Sequence, residues 1–159
     1  MSGAGGAREY LCAARDAAAL IVDYERRVSR ARDKCGLRAR NLESSSHGAV
    51  LDAMRHVDEL VDMEEAAPRE LRDAVAEVAD AARVLFGVAR AGSPAWARVL
   101  RDRYLLLRPW GEVAKMNGMA TSAEAEQVAD VAVDWLDSLG VARAREIWGE
   151  FSREVWEEL

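Results

Sequence analysis

The stretch LRDRYLLLRPWGEVAKMNGM, Leu100–Met119, decides how the rest of the chain is read. Pro109 is suited to open a short helix running to about Asn117, with Trp110, Val113 and Ala114 on its buried side. Gly118 then supplies the backbone freedom that a positive φ or a close approach demands. Beyond it, Thr121-Ser122-Ala123-Glu124 forms a capping box and predicts a helix to Leu139, terminated by Gly140. Val128, Val131, Ala132, Trp135, Leu136 and Leu139 are expected to share that helix's apolar face. Upstream, Ala91-Gly92-Ser93-Pro94 ends one helix and caps another, expected from Pro94 to about Leu107 with Trp96, Val99, Leu100, Tyr104 and Leu107. A supporting helix followed by two helices clamped through a small core is the make-up of a helix-turn-helix, predicted here over residues 93–140.

Working outward toward the N-terminus, residues 1–6 carry no ordering signal and are expected to be disordered. From Ala7 to about Cys35 the positions Tyr10, Ala14, Ala17, Ile21, Tyr24, Val28, Ala31 and Cys35 alternate in steps of four and three, the seam of a helix packed lengthwise on a partner. Gly36 and the polar run 43–47 offer a stop and a turn. A second seam comprises Val50, Met54, Val57 and Val61, then Leu71, Val75, Val78, Ala82, Leu85 and Ala89. Its rhythm continues through Pro68, which favours one long helix kinked there, or two stacked end to end. Residues 7–92 are therefore expected to form a helical hairpin or coiled-coil section, paired within the chain or between protomers. Residues 141–159 predict a C-terminal amphipathic helix with Trp148, Phe151, Val155 and Leu159 on one side.

Composition agrees with an all-α chain. Of 159 residues, 50% are apolar but only 6% aromatic, and there are three prolines. No run of alternating β-branched residues is present. No apolar run approaches the ~18 residues that a membrane span requires. The N-terminus lacks the basic and apolar blocks of a signal peptide, so a reducing cytoplasm is the expected compartment. Cys12 and Cys35 are too far apart on one helix to suggest a disulfide or a metal site, and His47 and His56 lack metal-ligand spacing. The acids Asp58, Glu59, Asp62, Glu64 and Glu65 would suit a Mg²⁺-dependent nucleotide pyrophosphatase, but without a matching inward set they read as a solvated face. Neither phosphate loop nor nucleophile motif is found, so no catalytic role, metal or cofactor is expected.

The order Arg103-Tyr104, then Trp110 to Ala114 (WGEVA), a turn, Ser122 and an alanine–leucine helix resembles the region-4 helix-turn-helix of sigma factors. More closely it resembles small phage-encoded transcriptional regulators of the RinA and ArpU type, which also place a long helical section before the motif. The resemblance covers about residues 96–136. It implies an all-α transcriptional regulator of phage or prophage derivation, with double-stranded DNA as ligand and RNA polymerase as a further partner; a homodimer is the expected assembly.

Charge distribution bears directly on that expectation. The chain carries a net −6, yet residues 7–43 and 93–120 are each net +3, while 48–92 and 121–140 are each net −5. The first basic island (Arg26, Arg27, Arg30, Arg32, Lys34, Arg38, Arg40) sits where it also complements the acidic second seam and a helix C-terminus. The second contains Arg98, Arg101, Arg103, Arg108 and Lys115, a set suited to phosphates. On the helix after the turn, Glu126, Asp130, Asp134 and Asp137 form an acidic stripe, which DNA phosphates would repel. DNA contact is thus expected from Arg98, Arg101, Arg108 and Lys115, and from the helix start at Thr121, Ser122, Glu124 and Gln127. Glutamine there is able to read adenine, and glutamate to accept from cytosine N4. A helical protein–protein interaction module, keeping the fold without DNA binding, is the alternative.

Overall fold

The computed structural model describes residues 6–41 and 47–157, leaving aside the side chains of 35–41, 47–57, 59–60, 63–64, 66–68 and 156. Every regular element among them is helical: α1 (Ala7–Asn41), α2 (His47–Ala91), α3 (Pro94–Leu100), a π-helical turn (Arg101–Leu105), α4 (Trp110–Met116), α5 (Ser122–Leu139) and α6 (Val141–Glu157). The all-α expectation is met. Helix α1 continues through Gly36, because an interior glycine costs only about 1 kcal/mol relative to alanine and does not by itself end a helix. Helix α2 is one element through Pro68. Of the expected disorder at 1–6 and turn at 43–47, residues 1–5 and 43–46 lie outside the described residues, as do Leu159 and the side chains of Cys35, Val50, Met54 and Val57; Gly6 is ordered, its carbonyl accepting the Tyr10 N–H, and His47 opens α2.

The chain divides into two compact units. Ala19–Ala74 forms one, from the later turns of α1 and the earlier turns of α2. Within it, Leu20, Tyr24 and Arg27 of α1 and Leu71 of α2 line one small cavity, and Arg27 pairs with Asp23 at 2.8 Å. Met1–Ala18 with Val75–Leu159 forms the other, which contains the helix-turn-helix candidate.

In that larger unit the largest fully buried apolar side chains are Leu11, Val84, Val88, Val99, Leu100, Val113, Val133 and Leu136, with alanines filling the gaps between helices. The buried stripe of α2 differs from the expected seam. It runs through Ala74, the half-buried Val78, Ala81, Leu85 and Val88, with Val84 beside it, while Val75 is 50% exposed and Ala82 is also exposed. The four-three rhythm is right but partly displaced by one residue, because a helix meeting several neighbours does not bury the stripe that one parallel partner would select. Helix α5 shows the same effect. Its buried stripe is Ala125, Ala129, Ala132, Val133 and Leu136, Val128 and Trp135 are half-buried, and Val131 is 53% exposed. Small residues allow close helix approach there, and apolar size alone misplaces the centre of the face.

The boundaries follow the caps. Ser93 is extended (φ −137°, ψ 131°) and its Oγ accepts the Ala95 N–H, with Pro94 following in the first turn. Helix α4 closes on Gly118 (φ 69°): the Met119 N–H reaches the Ala114 carbonyl at 2.9 Å and the Gly118 N–H reaches that of Lys115, a Schellman arrangement. Gly140 (φ 89°) separates α5 from α6. Trp96 of α3 packs on Trp135 of α5, ring centroids 5.7 Å apart. On α6, Trp148 and Phe151 both pack on Phe86 of α2, each at 4.9 Å, and Arg90 lies over the Phe151 ring.

The helix expected from Pro94 to Leu107 is interrupted. After Leu100 the chain widens into a π turn, and Leu107 takes up the left-handed region at φ 57°. The inserted residue rotates the side chains downstream of it, and both Asp102 and Tyr104 become buried. The helix must also end before Arg108, because Pro109 disfavours a helical conformation there.

Candidate nucleic-acid interface

The basic island around the motif is organised by an acid. Asp102 is 2% exposed, the sole buried charged residue among the described residues. Its Oδ1 accepts from Arg101 Nε (3.2 Å) and a terminal guanidinium nitrogen (3.0 Å), and the Arg108 guanidinium lies 3.4 Å from the same oxygen. Its Oδ2 accepts from Asn117 Nδ2 at 3.0 Å, which also donates to the Val113 carbonyl at the end of α4. Buried charge is tolerated only when paired and hydrogen-bonded, and Asp102 meets that condition by drawing two arginines and the α4 C-terminus together. Arg103 adds a second tie: it donates to the Arg108 carbonyl at 3.1 Å and stacks over Trp110 at 4.6 Å.

Of the sequence-predicted residues, Arg101 and Arg108 are thus brought together on one carboxylate. Arg98 and Arg101 line one side of a common groove. At the start of α5, Thr121 Oγ1 accepts the Glu124 N–H (3.2 Å) and the Glu124 carboxylate accepts the Ala120 N–H (2.9 Å). Glu124 therefore serves the cap. Ser122, Gln127 and Lys115 are exposed, and among the described residues their side chains make no hydrogen bond or ion pair. Asp102 and Asn117, which organise the island, carry no DNA-contacting role in the sequence reading, and Arg103 of the island is committed to Arg108 and Trp110. The one available signal was Asp102 itself, an acid inside a run of arginines.

Two acids of the α5 stripe, Asp130 and Asp137, have intramolecular partners. Asp137 accepts the backbone N–H of Ala7, the first residue of α1, and Gly6 lies against the same carboxylate. Asp130 pairs with Arg8 at 2.7 Å. A carboxylate at a helix start satisfies an otherwise unpaired N–H and complements the positive end of the helix dipole. Ala7 and Leu11 are buried alongside, so the first turns of α1 are fastened to α5 by both charge and packing.

A second polar cluster ties α1 to α2 and α6. The Tyr10 hydroxyl donates to Asp80 (2.6 Å), and Arg145 grips the same carboxylate bidentately at 2.6 and 2.7 Å. Hydrogen bonding from Arg145 holds the Asp80 carboxyl below its usual range, and burial pushes the Tyr10 phenol up.

No described helix is long and apolar enough to cross a membrane. The pyrophosphatase-like acids Asp58, Asp62 and Glu65 are exposed. The fold defines an all-α protein. No family model, curated protein or solved structure matches the chain.

Proposed function

We propose that this chain is a DNA-binding transcriptional regulator, phage- or prophage-derived, that uses α4 and α5 as a helix-turn-helix with double-stranded DNA as ligand. The observation that carries the reading is the engagement of Asp130 and Asp137 by the N-terminus of α1. Two of the four acids that oppose DNA binding in the sequence thereby have a structural role within the chain, while Glu126 and Asp134 stay exposed. The start of α5 offers exposed Ser122 and Gln127, next to a segment whose net charge is +3. Arg101 and Arg108, held on Asp102, are pre-positioned cations, and ordering them in advance lowers the entropy cost of gripping phosphate. A homodimer would supply the second half-site, and RNA polymerase is the further partner in this reading.

Titration of mixed-sequence duplex DNA at several salt concentrations tests it, with Lys115→Glu and Arg108→Glu beside the unaltered chain. Binding on the order of 10 μM or tighter near physiological salt is expected, weakening as salt rises. Each lost phosphate contact reduces the log–log salt slope by about 0.9. Absence of binding at low salt in both monomer and dimer fractions overturns the proposal in favour of a helical interaction module.

A further inference from the structure

Between α2 and α3 the larger unit has an open groove of about 330 Å³. Ala82, Leu85 and Phe86 form its α2 wall, and Ala97 and Leu105 lie opposite. The displaced seam explains why it is open. Of the positions expected to lie under a lengthwise partner, Ala82 is exposed and Ala89 half-buried, because the buried stripe of α2 is turned partly away from them, while Leu85 is itself part of that stripe. Arg98 and Arg101, one helical turn apart, complete the lining on the α3 side. Arg101 is already shared with Asp102, whereas Arg98 has no ion-pair partner among the described residues. The groove therefore combines an apolar trough with one guanidinium, that of Arg98, which has no ion-pair partner among the described residues.

We propose that this groove binds an apolar chain ending in a single carboxylate, of the medium-chain fatty-acid type. The alkyl part would cover Ala82, Phe86 and Leu105, and the carboxylate would accept from the Arg98 guanidinium, with Arg101 beside it. Three features select this class. The volume is at the lower end of the range for small-molecule sites, and its lining is mostly apolar with a few polar groups on one side. A guanidinium fork matches a planar carboxylate in two parallel hydrogen bonds. Arg98 is the one arginine of the groove without an ion-pair partner among the described residues, and one free guanidinium matches a monoanion. The inference does not rest on the DNA-binding proposal, although Arg98 and Arg101 are among the residues expected to meet DNA there.

Calorimetric titration of the full chain with decanoate, below its micelle concentration, is the test, with decanol and decyltrimethylammonium as neutral and cationic counterparts. Saturable decanoate binding with a dissociation constant on the order of 100 μM or tighter is expected, and much weaker uptake of the other two. Arg98→Glu should weaken decanoate binding by about tenfold or more. Ala82→Trp, at an exposed helix position, should fill the trough and abolish binding while circular dichroism stays unchanged. No decanoate binding, equal binding of decanol, or binding that survives both substitutions overturns the proposal. So does a dimer that Ala82→Trp dissociates without decanoate uptake, which would assign the groove to a second copy of the chain.

Discussion

Gly87 shows how a single missing side chain sets a helix crossing. A Cβ built there would lie 2.1 Å from the Ala144 carbonyl oxygen of α6, a backbone atom that cannot swing aside. The α2–α6 crossing is thus close enough only for glycine. Gly149, on α6 itself, has open space around the same position. The two sites predict opposite outcomes for one substitution. Gly87→Ala should destabilise by about 2 kcal/mol, overpacking outweighing a helix-propensity gain of about 1 kcal/mol. Gly149→Ala should stabilise by up to about 1 kcal/mol. Thermal unfolding of both variants checks this, and a Gly87→Ala midpoint at or above that of the unaltered chain would refute the crossing. The sequence does not distinguish these two glycines, since both sit inside helical patterns and their difference lies in a neighbour that is distant along the chain.

At the scale of elements, Asp130 and Asp137 of the acidic stripe on α5 fasten α1. Asp137 caps Ala7 and Asp130 pairs with Arg8, residues separated from them by most of the chain. The exposed ion pair contributes little, about 0–1 kcal/mol, whereas a cap of this kind is worth about 1 kcal/mol. Asp137→Ala should therefore cost about 1 kcal/mol and speed hydrogen exchange at the first turns of α1, leaving α3 and α4 unchanged. Uniform acceleration across the unit would show that the contact is no local cap. Caps were the most legible feature of the sequence: Ser93, Thr121, Gly118 and Gly140 all stand where their local chemistry places them. The π turn at Arg101–Leu105 was not legible. Its left-handed residue is Leu107, which carries no conformational signal of the glycine kind, and its reason is the burial of Asp102 against Asn117.

For the whole molecule, the Tyr10–Asp80–Arg145 cluster predicts how stability responds to pH. The folded-state value of Asp80 lies below its ordinary 3.8. Its contribution is therefore complete above that value and is lost as pH falls through the lowered folded one. Tyr10 has the opposite sign. Its folded-state value lies above the ordinary 10.0, so stability is retained below pH 10 and declines as pH rises beyond it. Urea unfolding across pH should show a shallower acid limb in Asp80→Asn and a shallower alkaline limb in Tyr10→Phe. Some alkaline slope should remain, because burial also raises Tyr104. Limbs unchanged by either substitution would contradict the assignment.

By itself the sequence determined the all-α class, most helix limits and the charge contrast between segments, because periodicity, caps and composition act over a few residues. Only the tertiary structure decided which stripe of α2 and α5 is buried, where Arg101 and Arg108 converge, and which groups answer the acids of α5. Those outcomes depend on helices brought together from distant parts of the chain. The helix-turn-helix candidate at Leu100–Met119 thus rests on local signals, while its electrostatic setting comes from a helix start more than ninety residues earlier.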